Sequence, residues 1–269
     1  MEKQMGKIFF TSDLHFGHEN VIKFDNRPFK TVEEMDEELI RRWNAKVGKG
    51  DLVYVLGDMI WKSRNGDAEQ LIKSLNGQII LIKGNHDRFL HNAKAKAALA
   101  GVKDYDDISV PLEDGTTRRC ILSHYYIPMY NGHIHTAIHL HGHSHTTAES
   151  TLELQISKIL KQRGCNNEIY NVGCMYWNYE PVTLDEILAK SQETQKALEN
   201  NFGDVLMCAI KGAMNMPGNA IDIVYSFIMD NLQFIDLTTL EHITQYVWEC
   251  DTEVSNNLLE KLREIQKEV

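Results

Sequence analysis

Three apolar, β-prone runs that each end in a carboxylate or carboxamide beside glycine or histidine constrain this chain most. Residues 7–12 run into Asp13-Leu-His15, residues 52–56 into Gly57-Asp58, and residues 79–82 into Gly84-Asn85-His86-Asp87. Helical patterns separate them. Thr31 and Glu34 form a capping box, followed by Val32, Met35, Leu39, Trp43 and Val47 on one helix face, with Gly48 and Gly50 as the stop. A shorter helix is expected over residues 68–75, and an Ala/Lys-rich one over residues 89–100. Strands alternating with helices predict an α/β domain. In open α/β sheets, ligands bind in the crevice beyond the carboxyl ends of the strands, so the polar groups just past these strands converge in space.

The chain then turns more β-like. Residues 108–112 and 119–123 flank Glu113-Asp-Gly-Thr116, a hairpin signal, and residues 138–141 and 168–172 read as further strands. Leu152, Ile156, Ile159 and Leu160 give residues 151–161 helical spacing. Two of these strands deliver Ser123-His124 and Gly142-His143-Ser144-His145, the second inside a window, residues 133–145, that holds six of the chain's twelve histidines. Asp13, Asp58, Asn85, His15, His124, His143 and His145 thus form one set of oxygen and imidazole donors without thiolate. That chemistry suits Mn²⁺, Fe²⁺, Co²⁺, Ni²⁺ or Zn²⁺. Seven donors exceed what one such ion holds and suit two, about 3.5–4 Å apart, sharing a carboxylate.

Composition removes other classes. The 269 residues are 43% hydrophobic, too apolar for a disordered chain, yet no run approaches the ~18 apolar residues of a membrane span. Five scattered cysteines without a CxxC fit a reducing cytoplasm better than a disulfide framework. The net charge of −10 disfavours duplex nucleic acid. That charge is uneven: residues 191–269 carry 13 acids and 5 bases, against 25 and 23 in residues 1–190. Residues 191–269 also lack a convincing strand and read as an acidic α-helical extension. The domain boundary is therefore expected at 190, with Thr183 and Glu186 capping the helix that crosses it. Such an extension suits a bundle packed on the first domain, a cap over its cleft, or a homo-oligomer contact.

Taken in order, Asp13-Leu-His15, Gly57-Asp58, Gly84-Asn85-His86-Asp87, His124 and Gly142-His143-Ser144-His145 resemble the calcineurin-like metallophosphoesterases over about residues 5–190. Asp13-Leu-His-Phe-Gly-His-Glu-Asn20 and Arg27-Pro-Phe29 are similar to small bacterial and phage-type members. The resemblance implies a four-layer α/β/β/α sandwich with two metal ions, Mn²⁺ favoured. Asp13, His15 and His145 would hold one ion, Asn85, His124 and His143 the other, and Asp58 would bridge them. It implies in-line attack on phosphorus by a metal-bridging hydroxide, with His86 assisting the leaving oxygen. Asp87 would orient His86, or else cap a helix. His18, Asn20, Arg27 and Arg88 are candidates for substrate contact. Gly57-Asp58 continues Met-Ile-Trp-Lys-Ser-Arg64 without the Asp-Arg-Gly of the Ser/Thr protein phosphatases. The expected substrate is therefore a phosphodiester, such as a small or cyclic nucleotide. The alternatives are a nuclease or phosphomonoesterase on the same site, and a non-catalytic protein-binding module using the helical extension.

Overall fold

The computed structural model describes residues 6–62, 68–165 and 168–193. The helices expected in residues 194–269 lie outside the described residues, as does any oligomer contact made through them.

Strands β1 (Ile8–Thr11), β2 (Leu52–Val55) and β3 (Gln78–Ile82) lie side by side in one parallel sheet, Ile8 opposite Leu52 and Leu52 opposite Gln78. Their connections carry helices α1 (Glu19–Phe24), α2 (Val32–Lys46) and α3 (Ala68–Ser74). β4 (Gly101–Lys103) extends the sheet beyond β3, and the two-residue β9 (Val182–Thr183) pairs antiparallel to β1 on the other side. β5 (Asp106–Pro111), β6 (Thr117–Leu122), β7 (Ile138–His141) and β8 (Glu168–Asn171) form a second sheet in that order, antiparallel only between β5 and β6. α5 (Ala148–Gln162) connects the parallel strands β7 and β8.

Both faces of the first sheet are covered, which is why its strands read as continuous apolar runs rather than alternating ones. On one face Phe9, Val53, Val55, Ile79 and Leu81 pack against Met35, Leu39 and Trp43 of α2 and Ile72 of α3. Each such buried side chain contributes about 1.5–3 kcal/mol. On the other face Phe10, Tyr54, Leu56 and Ile82 meet Val110, Cys120, Leu122, Ile138 and Leu140 of the second sheet. The outer side of that second sheet carries a smaller cluster of Ile121, Tyr130 and Ala137. The result is a mixed α/β sandwich of two sheets flanked by helices.

The capping box acts as expected on one side: Thr31 Oγ1 accepts from Glu34 N–H at 3.2 Å. Helix α5 starts at Ala148, earlier than its apolar spacing suggests, because Thr147 Oγ1 accepts from Glu149 N–H. The helix expected over residues 89–100 is instead a 3₁₀ turn, Arg88–His91, followed by the short α4, Ala93–Ala97. Asn92 divides them, its Oδ1 accepting from the N–H groups of Lys94 and Ala95. Helix α1 and strands β4 and β9 are too short for periodicity to register. No helix among the described residues is long and apolar enough to cross a membrane.

Candidate metal centre

The site assembles where five strands end. The parallel ladder of β1 and β2 continues past its strands, with Asp13 N–H donating to Gly57 O at 3.1 Å and His15 N–H to Asp58 O at 3.0 Å. The second sheet is joined to the first at the same level, Ser12 N–H donating to Val172 O and Cys174 N–H to Ser12 O, both at 3.0 Å. Asp13, His15, Asp58, His143 and His145 all adopt positive φ, between 46° and 73°. This left-handed backbone turns the side chains of alternate residues inward, and it costs on the order of 1–3 kcal/mol per non-glycine residue. The neighbouring glycines leave room for the donors. A Cβ at Gly84 would lie 2.2 Å from Asp58 Oδ1, and one at Gly142 would lie 2.4 Å from Asp13 Oδ2.

Two overlapping groups of ligand atoms result, Asp13 with His15 and His145, and Asp13 with Asp58 and His124. Asp13 is common to both, and Asp58 Oδ2 lies 3.7 Å from His15 Nε2 and 3.6 Å from His124 Nε2. Asn85 Oδ1 is 3.0 Å from the same His124 Nε2, and the His143 ring stands edge-on to His124 at 5.0 Å between centroids. His143 belongs to neither three-residue group, but its N–H donates to Asp13 Oδ2 at 3.0 Å.

The hydrogen bonds around this set fit a cation. His124 Nδ1 faces the carbonyl of Leu56 at 2.8 Å, which can only accept, so the proton sits on Nδ1. The lone pair of a neutral His124 then points from Nε2 at the oxygens of Asn85 and Asp58. Similarly, Asp25 Oδ1 accepts from His145 Nδ1 at 2.8 Å, leaving Nε2 to face Asp13 Oδ1 at 3.6 Å and His15 Nε2 at 3.2 Å. Acceptors aimed at acceptors are repulsive unless a positive charge lies among them. Burial disfavours charge on the ligands themselves. It raises the pKa of Asp13 against the opposing pull of His145 and His124. It also drives His15 far below the usual imidazole range, helped by the charges of His145 and Arg27. His143 is lowered as well, by burial and then by His124. In the metal-free protein His15 and His143 are therefore neutral and ready to donate, whereas burial of His145 is outweighed by Asp25 and Asp13, which raise its pKa.

A family model for calcineurin-like phosphoesterases matches residues 6–203. This chain belongs to that family. It is 35% identical over 185 residues to the uncharacterized protein MJ1445 of Methanocaldococcus jannaschii, covering 68% of this chain and 90% of that protein. It is 29% identical to the Gene 66 protein of Mycobacterium phage D29, covering 72% of this chain and all of that protein. A solved structure of a protein of unknown function from Aquifex aeolicus aligns over 68% of this chain and 97% of that chain, at 19% identity and a TM-score of 0.44. Membership in this family makes the chain a metal-dependent phosphoric ester hydrolase.

The remaining expected residues fall in different places. His86 is on the rim: its N–H donates to Asp58 Oδ1 at 2.8 Å, and its ring centroid is 5.8 Å from that of His15. Asp87 neither orients His86 nor caps the following turn. Its buried carboxylate accepts from the N–H groups of Gly84, Asp58 and Met59 at 2.8–3.0 Å, clamping the β2 and β3 loops together. His18 is half-buried beside His15, at 5.4 Å between centroids, while Asn20 and Arg88 are exposed. Arg27, expected at the substrate, is buried behind the site. Its guanidinium donates to the carbonyls of Asp13 and Leu14 and to Asp25 Oδ2 at 2.8–3.0 Å, so it holds the ligand loop and has no face left for a phosphate.

Sequence reasoning missed Asp25, which joins Arg27 to His145 across 120 residues of chain. It also left His139 without a role. That buried ring contacts Ile121 O through Nδ1 at 3.0 Å and accepts from Ile127 N–H through Nε2 at 3.1 Å, fixing the segment that follows His124. His141 is likewise buried, with Nδ1 donating to Gly142 O at 2.9 Å.

Proposed function

We propose that this protein hydrolyses phosphodiesters of small nucleotides, using two divalent ions with Mn²⁺ favoured, in a reducing cytoplasmic setting. Asp13, His15 and His145 would hold one ion, Asn85, His124 and His143 the other, and Asp58 would be shared by both. The observation that carries this reading is the placement of Asp58 Oδ2 within 3.7 Å of two histidines from the two different sheets. Bound there, two ions supply Lewis acidity and bring a water towards ionisation near neutral pH. The residues supply position and protons. Asp87 and Arg27 fix the loops that carry Asp58 and Asp13. His86, tied to Asp58 through its own N–H, presents an imidazole at the rim that can protonate a leaving oxygen. The preference for diesters is supported by Arg27: with its donors committed to backbone and Asp25, it gives no clamp for the extra negative oxygen of a monoester.

Manganese-loaded and chelator-treated protein should be compared on bis-p-nitrophenyl phosphate, p-nitrophenyl phosphate and single-stranded DNA. The diester should be cleaved fastest and only by the loaded protein, and Asp58→Asn should lose both metal and turnover. His86→Ala should keep its metals and lose about 10²–10⁴-fold in kcat. Full turnover by Asp58→Asn with two ions bound would overturn the metal assignment. A monoester or single-stranded DNA cleaved faster than the small diester would replace the substrate class.

A further inference from the structure

Beside the metal centre, two large aromatic side chains stand in solvent. Trp61 is 46% exposed and Phe24 is 73% exposed, though Ile60, the residue before Trp61, is fully buried. A large apolar side chain left in water beside a polar site is the informative kind of exposure. One face of Trp61 is covered by His18, with ring centroids 4.2 Å apart and planes 19° from parallel. His86 leans against it at 4.8 Å and 60°, and Phe24 meets His18 edge-on at 6.2 Å. The backbone that carries the indole is firmly held. The backbone N–H groups of Trp61 and Lys62 both donate to Phe16 O at 3.0 Å, Phe16 and Ile60 form a β-bridge, and a Cβ at Gly17 would lie only 1.5 Å from Lys62 O. The loop after β1, which carries the ligands Asp13 and His15, is therefore bolted to the one that carries Trp61.

We infer that the indole of Trp61, backed by His18, is the stacking platform for the base of a nucleoside phosphoester whose phosphate sits at the metal centre. This rests on the phosphoesterase reading above and narrows it to esters that carry a flat aromatic group. The placement matches the ligand. From His15, an expected metal ligand, the path through His18 to Trp61 takes two ring-to-ring steps of 5.4 and 4.2 Å, comparable with the span from a phosphate across a sugar to its base. Stacking needs a rigid π-face next to a phosphate site and no base-specific hydrogen bonds, so the platform accepts different bases. His86 touches both the platform and the reacting side of the site, which places the leaving oxygen next to the group that protonates it.

The test uses the full-length chain loaded with Mn²⁺. Adenosine 5′-monophosphate should quench the intrinsic tryptophan fluorescence, glycerol phosphate should not, and Trp61→Phe should remove the base-dependent quench. Competition binding should show the nucleotide preferred over glycerol phosphate in the parent protein. Trp61→Ala should cut that preference roughly ten-fold or more, and Trp61→Phe should restore most of it. Thermal melts identify any variant that loses its fold, and the Phe variant keeps the question answerable if the Ala variant does. Equal affinity for the two ligands in the parent protein, or a preference that survives Trp61→Ala, would overturn the platform. A platform confirmed by binding in a protein that cleaves no phosphoester would refute the proposed hydrolysis while leaving this inference standing.

Discussion

The link between Asp25 and His145 offers a sharp test, because an isosteric change there should disable a proposed metal ligand without removing it. The ionised Asp25 carboxylate accepts from His145 Nδ1 at 2.8 and 2.9 Å and from Arg27 Nε and Nη2 at 3.0 and 2.9 Å. Burial works against that charge, but the bonds to His145 and Arg27 hold its pKa below the usual carboxylate value. Asp25→Asn keeps the shape and replaces one acceptor with an amino group. If that group faces His145, the imidazole must carry its proton on Nε2, and the lone pair that would meet a metal is gone. If it faces Arg27, buried donors oppose donors, at about 1–3 kcal/mol. Loss of a partner that orients a metal-binding histidine typically costs 10–100-fold in metal affinity, or about 1.4–2.8 kcal/mol. Asp25→Asn should therefore bind Mn²⁺ about 10–100-fold more weakly, or melt clearly earlier, in competition with a chelating dye and in thermal melts. Parental affinity together with parental melting would refute the orienting role.

Gly84→Ala should shed metal while its hydrophobic core stays intact, since the new Cβ would press 2.2 Å from Asp58 Oδ1 and 2.5 Å from Asp58 N. Elemental analysis showing two ions per chain in a folded Gly84→Ala would contradict the geometry. The metal-free protein should also lose stability on acidification. Burial lowers His139 from 6.5 to about 4 and, with the charge of His139, lowers His141 to about 3. Below pH 6.5 the unfolded chain binds protons that these two rings refuse, so each costs about 1.4 kcal/mol per pH unit until its folded pKa is reached. Melts of chelated protein at pH 7.5 and 5.5 should show the lower Tm at pH 5.5, and a His139→Gln variant that folds should show a smaller drop. A drop as large in folded His139→Gln as in the parent would show that His139 is not held neutral.

The strand-end motifs were legible in the sequence because several local signals coincide: apolar runs long enough to be buried strands, a glycine beside Asp58, Asn85 and His143, and a fixed order along the chain. Thr31 and Glu34 were equally readable, since a cap is a four-residue event. What could not be read was chemistry set by depth. Arg27 is as suited to a phosphate as to a backbone carbonyl, and only its burial behind Leu14 and Asp13 decides between them. Asp87 sits where an N-cap would, but its three N–H donors come from two different strand ends, and nothing local announces Asp58 and Met59 as its partners. Asn92 was missed for the opposite reason. The Ala/Lys spacing around it is helical, and one side chain bonding two N–H groups outweighs that propensity.

The five positive-φ donors set stability and activity at odds. Replacing His143 by glycine would relax a left-handed backbone that disfavours side chains, so such a change is expected to gain folding free energy even as it deletes a proposed metal ligand. Selection or engineering for thermal robustness alone would then push the chain towards glycine at the positions where it needs histidine and aspartate. Stabilising this enzyme without emptying its site means leaving those five residues alone and working on the helices and on the core between the two sheets.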